Sequence, residues 1–445
     1  MKHAARRLAA LAIGMLLLAG GGGALLAQPF GAALDERERE YFLTHRYAQT
    51  CLDSLSAVCG SGLFSRDFER EYTEAGRWIL AALAGAGAIA FLTAWTRLAA
   101  TTPVAGPPLP AVLLGYLGLQ VAAVAALFAT SAASGEAADA TALLRRAVFV
   151  AAGVATPLTE AGPAQRSTLA VIAALVALGP SVWALLLPAR MRGVMSARAV
   201  LRSAAGFALF LLGITAACAF LESPRGGGAA VAAREAAGSG EHRLQTADPI
   251  ERHMRSLRLT SAAVGAGCAT EPLTDRAVSQ GTQILLSFGT LVGGLPGSVS
   301  GGLRWPLLAA AGAGVFATLG FWRRPSEPAV AAWRSACLAG LVALLACTAL
   351  VAVGLLLIEQ LAATRFQAAP SFADAWLDAS SAVGGSGVSS GLASLVSSRN
   401  LARGLGLNFD LYAFGMTLLA AAMLAGRFIP LLVLAACTRR ESPPM

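Results

Sequence analysis

The chain has 445 residues, of which 56% are apolar and only 13% charged. A soluble protein of this length carries about twice that share of charge, so a soluble globular domain is excluded. The net charge of +9 is split into separate basic clusters between apolar runs, so it reports membrane topology and speaks against a nucleic-acid-binding role.

Met1–Gln28 has two arginines, Arg6 and Arg7, before an apolar run, Leu8–Leu26. This is the pattern of a secretory signal, but the run is also long enough to span and reads as the first helix of a repeat. A stretch of about 12 residues, Arg46–Val58, follows and is too short to cross. It ends in Cys59-Gly60-Ser61-Gly62, and a second span occupies about 75–97. The next unit has spans at about 108–133 and 167–188 with the strand Val150-Ala151-Ala152-Gly153 between them. The third has spans at about 203–222 and 277–322, enclosing Val264-Gly265-Ala266-Gly267. Its polar outer segment Ser223–Thr246 lacks apolar periodicity and reads as a flexible loop. The fourth has spans at about 336–358 and 410–436, the short stretch Phe372–Val383, and the strand Gly384-Gly385-Ser386-Gly387.

The chain therefore repeats itself. Leu52–Leu63 (LDSLSAVCGSGL) and Leu377–Val388 (LDASSAVGGSGV) align without a gap, and Gly153–Thr159 (GVATPLT) pairs with Gly267–Thr274 (GCATEPLT). Even self-similarity means one supersecondary unit used several times. The expected fold is an all-α polytopic membrane protein. It has four helix–pore-loop–helix repeats, about eight spanning helices and four re-entrant pore helices, around a central pore. The repeats fall at 1–100, 101–198, 199–325 and 326–445. Basic clusters at Lys2/Arg6/Arg7, Arg97, Arg190/Arg192/Arg198/Arg202, Arg323/Arg324 and Arg439/Arg440 put both termini in the cytoplasm and every glycine motif outside.

A dehydrated cation needs oxygens in place of its water, and backbone carbonyls from several strands around one axis supply them. The four strands above are the candidates, with Gly62, Gly153, Gly267 and Gly387 as the recurring last glycine. The short helices would aim their negative C-terminal ends at the axis. A bland reading, glycine for close helix packing, fits any one motif but not four in one context. Gly293–Gly302 (GGLPGSVSGG) breaks the long run Ala277–Trp322. Gly293, Gly294, Pro296, Gly297, Ser298, Gly301 and Gly302 form a candidate gate beneath the filter, the alternative being a plain connector. Arg427 lies 17 residues after Asp410, roughly 25 Å along a helix. It either faces the pore or snorkels to the headgroups. Asp53 and Asp378 hold matching places in two pore helices and either brace the filter or begin the helix. The seven cysteines show no metal spacing and the four histidines are scattered. No paired carboxylates converge, so an enzyme is not expected.

Three segments carry a resemblance to a known family. Ser56–Leu63, Gly293–Arg304 (GGLPGSVSGGLR) and Gly426–Pro430 (GRFIP) are similar, in order and spacing, to the first filter segment, the intramembrane loop and the last helix of the Trk/Ktr/HKT superfamily of potassium transporters, specifically its bacterial TrkH/KtrB type. The resemblance implies a potassium pore in the inner membrane, assembled as a homodimer in membrane lipid. It also implies coordination of potassium by the filter glycines, gating by the 293–302 loop and an electrostatic barrier at Arg427. It further implies a separate cytosolic, nucleotide-binding regulatory subunit of the RCK type. The chain departs from the family at Cys59 and Ser61, which stand where threonines are usual, at the apolar strand Val150–Gly153, and at Glu271. A non-conducting sensor, or a homologue passing sodium or another monovalent cation, is the alternative.

Overall fold

The structure, a computed structural model, describes residues 2–28, 31, 43–65, 68, 71–100, 108–135, 139–155, 162–183, 197–223, 249–265, 278–295, 298–318, 328–362, 371–390 and 409–437. The described residues form thirteen helices and no strand. They are α1 (Lys2–Leu26), α2 (Leu43–Val58), α3 (Glu74–Ala99), α4 (Leu109–Ser134), α5 (Ala140–Ala151), α6 (Pro163–Trp183), α7 (Ala197–Leu221), α8 (Pro249–Gly265), α9 (Gln280–Leu291), α10 (Trp305–Thr318), α11 (Pro328–Ala362), α12 (Phe372–Gly384) and α13 (Phe409–Cys437).

Among the described residues, six helices are long and apolar enough to cross a bilayer: α1, α3, α4, α7, α11 and α13. The apolar helices α6 and α10 are shorter. The long run in the third unit is not one helix. It is α9 and α10, 12 and 14 residues long, each roughly 20 Å at 1.5 Å per residue and so short of a hydrocarbon core of about 30 Å. The chain is thus a polytopic α-helical membrane protein, in which six of the about eight expected spans are described helices long enough to cross, while those at 167–188 and 277–322 are shorter or broken. The linker reading for Ser223–Thr246 lies, from 224 onward, outside the described residues.

The helices group in consecutive hairpins with a short helix inside each: α1–α3, α4–α6, α7–α10 and α11–α13. Each short helix also packs on the second span of the preceding group. Helix α5 rests on α3, α8 on α6, α12 on α9, and α2 on α13. The last pairing closes the ring. Small residues let these elements approach. A methyl group on Gly87 of α3 would overlap the carbonyl of Val58, and one on Gly426 of α13 would overlap that of Val383, the matching residue of the fourth group. Exposed apolar side chains such as Leu17, Val121, Leu209 and Leu350 cover the outside of the ring, as lipid-facing positions require.

The short helices have strong local reasons to form. Ser371 accepts from Asp374 N–H while Asp374 accepts from Ser371 N–H, a capping box at the start of α12. Asp139 caps α5. Their other ends are stopped alike. Ser61 N–H donates to Ser56 O at 2.8 Å, Val154 N–H to Phe149 O at 2.9 Å and Ser386 N–H to Ser381 O at 3.2 Å. The residue before each donor, Gly60, Gly153 or Gly385, has φ of 66, 73 or 62°. This is a Schellman stop with a left-handed glycine.

Candidate functional site

These helix ends correct the strand register in the second unit. Val150 and Ala151 are the last residues of α5, not part of an extended strand. The chain that follows the helix there is Ala152–Ala155, two residues further on. Gly153 therefore corresponds to Gly60 and Gly385, the helix-stopping glycines, and not to Gly62 and Gly387. The physical reason is that a Schellman stop demands a left-handed residue, and repeat 2 has one glycine where repeats 1 and 4 have two. In the third unit Val264 and Gly265 likewise belong to α8; Ala266 and Gly267 lie outside the described residues. In the fourth, Gly384 is the last residue of α12.

The described candidate filter segments converge. Gly62 and Gly387 have φ of 72 and 70°. A methyl on Gly62 would overlap Ala155 backbone, and one on Gly387 would overlap both the Ala155 methyl and the carbonyl of Ser61. The carbonyl of Ala152 lies 3.3 Å from the Cβ position of Gly60. Segments 59–62, 152–155 and 385–388 thus meet at one place, at the C-terminal ends of three short helices. Ala155, which hydropathy alone could not single out, takes the place of Gly62 and Gly387.

Asp53 and Asp378 do not begin their helices. Both are fully buried mid-helix. Asp53 Oδ1 accepts from Ser65 N–H at 2.5 Å and Oδ2 from the Tyr72 hydroxyl at 2.6 Å. Asp378 Oδ1 accepts from Ser390 N–H at 2.6 Å and Oδ2 from the Ser389 hydroxyl at 3.0 Å. Each ties its helix to the chain just beyond segment 59–62 or 385–388.

Beneath these segments lies the loop between α9 and α10. It is folded on itself: Leu303 N–H donates to Leu291 O at 2.9 Å, Trp305 N–H to Gly294 O at 3.1 Å, and Gly294 N–H to Ser300 Oγ at 2.8 Å. A neighbouring helix holds it. Helix α6 leaves helical geometry at Gly179 (φ 65°, ψ 172°), and Leu295 N–H donates to Ala177 O at 2.8 Å. A methyl on Gly301 would overlap the carbonyl of Gly384, so the loop abuts the base of segment 385–388. Gly293, Gly294, Ser298 and Gly302 all lie in this fold and are buried; Pro296 and Gly297 lie outside the described residues.

Arg427 does not snorkel. It is 3% exposed. Its Nε donates to Cys59 O and its Nη1 to Val299 O at 2.7 Å, and its guanidinium abuts Gly60. One side chain of α13 therefore joins segment 59–62 to the loop. A second arginine was not singled out from the sequence. Arg304 is fully buried, and its Nη1 donates to Ser298 Oγ and to Ser300 Oγ, the latter at 3.2 Å. Its guanidinium carbon lies 5.1 Å from the Phe91 ring centre and 5.0 Å from that of Trp95. Arg427 uses the same Phe91 ring at 4.8 Å. Aromatic faces stabilise a desolvated cation by about 2 kcal/mol, which offsets part of the cost of burying two guanidinium groups. The signal for Arg304 was its place at the end of the Gly-rich loop; the signal for Phe91 and Trp95 was only their spacing on an apolar helix.

No family profile matches the chain, and no curated protein matches it by sequence. Its fold does match a solved structure. The crystal structure of the potassium transporter TrkH from Vibrio parahaemolyticus superposes with a TM-score of 0.63 at 16% sequence identity, covering 94% of this chain and 82% of that one. The helical ring with its buried loop and its convergent glycine segments is therefore the TrkH fold.

Proposed function

We propose that this chain conducts a monovalent cation, potassium by preference, across the bacterial inner membrane, and that the 293–302 loop with Arg427 closes the path. The observation that carries this reading is the junction at Arg427. A buried guanidinium sits under the convergent segments, bonded to both a filter carbonyl, Cys59 O, and a loop carbonyl, Val299 O. A fixed positive charge there opposes a cation until the loop and Arg427 move. Above it, the short-helix ends and the carbonyls of segments 59–62, 152–155 and 385–388 supply the partial negative charge that replaces a cation's water. The fourth segment by sequence is Ala266–Ala269, since Gly267-Cys268-Ala269-Thr270 repeats Gly153-Val154-Ala155-Thr156 in pattern. The solved TrkH is a potassium transporter by its printed description, which supports potassium as the cargo. Inward flux would be driven by the membrane potential, about 2.3 kcal/mol per charge per 100 mV. The four repeats at 1–100, 101–198, 199–325 and 326–445, cytoplasmic termini, assembly as a homodimer and a cytosolic RCK-type regulatory subunit complete the reading.

The test is growth of a potassium-uptake-deficient bacterium on low potassium. Rescue that is abolished by Gly387→Ser supports the filter; rescue indifferent to that change rejects it. A second reading has one specific observation behind it. The Ala155 methyl stands against Gly62 and Gly387 where the other described segments have glycine, which favours altered selectivity or a non-conducting sensor. Good membrane expression without rescue would support the sensor; rescue by added sodium would support a changed cation.

A further inference from the structure

The corrected register exposes a second ring of equivalent positions, seven residues before the helix-stopping glycine of each short helix. In repeats 1 and 4 this residue is Asp53 or Asp378; in repeat 2 it is Arg146; in repeat 3, by the same alignment, it is Thr260. All four are buried. Their partners differ in kind. Each carboxylate takes a backbone N–H twelve residues on and a hydroxyl besides. Arg146 Nη1 instead donates to Gln165 Oε1 at 2.9 Å, nineteen residues on, the same separation as between Asp53 and Tyr72. Thr260 spends its hydroxyl on Ser256 O of its own helix, at 2.8 Å. An arginine has no acceptor with which to take a backbone N–H as the carboxylates do, and this threonine donates within its helix; residues 156–161 and 266–277 lie outside the described residues.

We infer that Asp53 and Asp378 are positioning residues for cation discrimination, making segments 59–62 and 385–388 the selective half of the filter. The inference rests on the transport reading above. Each of these segments is fixed at both ends: below by the Schellman stop at Gly60 or Gly385, above by a charge-assisted bond to Ser65 or Ser390, three residues past Gly62 or Gly387. Charge-assisted bonds are roughly twice as strong as neutral ones, and a site holds a preferred ion only if its oxygens are kept within about 0.5 Å. The two segments so fixed are also the two that carry glycine, where repeat 2 has Ala155. Tyr72 serves segment 59–62 through Asp53; Ser389 serves segment 385–388 through Asp378.

The experiment is rubidium uptake by the full-length protein in proteoliposomes, with potassium and sodium as competitors. Asp53→Asn and Asp378→Asn keep shape and remove charge. Each is expected to raise the KM for rubidium and lower potassium-over-sodium discrimination by about tenfold, with maximal rate held within about twofold. Tyr72→Phe, which leaves the carboxylate in place, should shift both quantities the same way by less, and it decides the matter if either Asn variant fails to fold. Unchanged discrimination in all three, or a fall in maximal rate and thermal stability with discrimination intact, would overturn the inference. Absence of uptake by the unaltered protein rejects the transport reading itself; selective uptake that the variants leave untouched rejects only the positioning role.

Discussion

At the scale of single residues, Arg427 shows how one charge is made tolerable inside a membrane. A guanidinium offers five donors, and here they reach carbonyls from two different repeats while the ring of Phe91 covers its face. Because those bonds tie the 293–302 loop to segment 59–62, Arg427→Gln should, on the proposed reading, weaken closure. Rubidium flux in the resting state is expected to rise several-fold, and an unchanged resting flux would show that the loop is held by other contacts. Arg304 is held differently, by Ser298, Ser300 and two aromatic rings. Phe91→Ala removes a surface shared by both arginines, so it should destabilise the protein by about 3–5 kcal/mol, read as a lowered unfolding temperature in detergent. A further residue-scale device lies away from the convergent segments. Glu222 Oε1 accepts from Ser279 N–H at 2.8 Å and from the Thr282 hydroxyl at 2.5 Å, clasping the start of α9 to the end of α7. Glu222→Ala leaves two donors unsatisfied, and about 1–3 kcal/mol of stability should go with them.

At the scale of elements, the contrast between repeats is instructive. The gap-free match of 52–63 with 377–388 made the first and last filter segments legible from sequence, because both glycine pairs are present and only one register satisfies them. The second segment has a single glycine. Pattern matching assigned Gly153 to the upper ring, whereas the hydrogen bonds of α5 assign it to the helix stop. A lone glycine goes where the backbone most needs φ > 0, which here is the end of α5. Ala155→Gly restores the pattern of the other described segments. It should raise cation flux, measured as rubidium uptake, and a variant no faster than the parent would show that the Ala155 methyl is no obstacle. The loop between α9 and α10 was legible as a break, since Gly293–Gly302 cannot continue a helix. Its seat on the kink at Gly179 was not, because it joins Leu295 to Ala177, more than a hundred positions away. Deleting part of 298–302 should raise resting flux, and no change would reduce the loop to a connector.

At the scale of the whole molecule, ring closure depends on close backbone approach at repeated places. Val58 and Val383 carbonyls meet Gly87 and Gly426 in the same way in the first and last repeats, so added bulk there has no space to enter. Gly426→Val should abolish a monodisperse peak in size-exclusion chromatography, whereas Gly118→Val, with nothing within 4 Å of its Cβ position, should leave it intact. If both variants elute alike, the packing argument is wrong. Hydropathy alone determined the place of six spans, of the short helices and of the break in the third unit, because burial in lipid imposes a local apolar length on every crossing segment. Local sequence also placed Asp53 and Asp378 in register, yet it could not choose between capping and bracing; that needed Ser65, Tyr72 and Ser390 brought back by the turn after the filter. The tertiary structure alone decided that Arg427 faces inward, that Arg304 stacks beside it, and that Ala155 stands among the filter glycines. Each of these is a contact between repeats, and the free energy of such a contact depends on where distant parts of the chain meet, which no local pattern encodes.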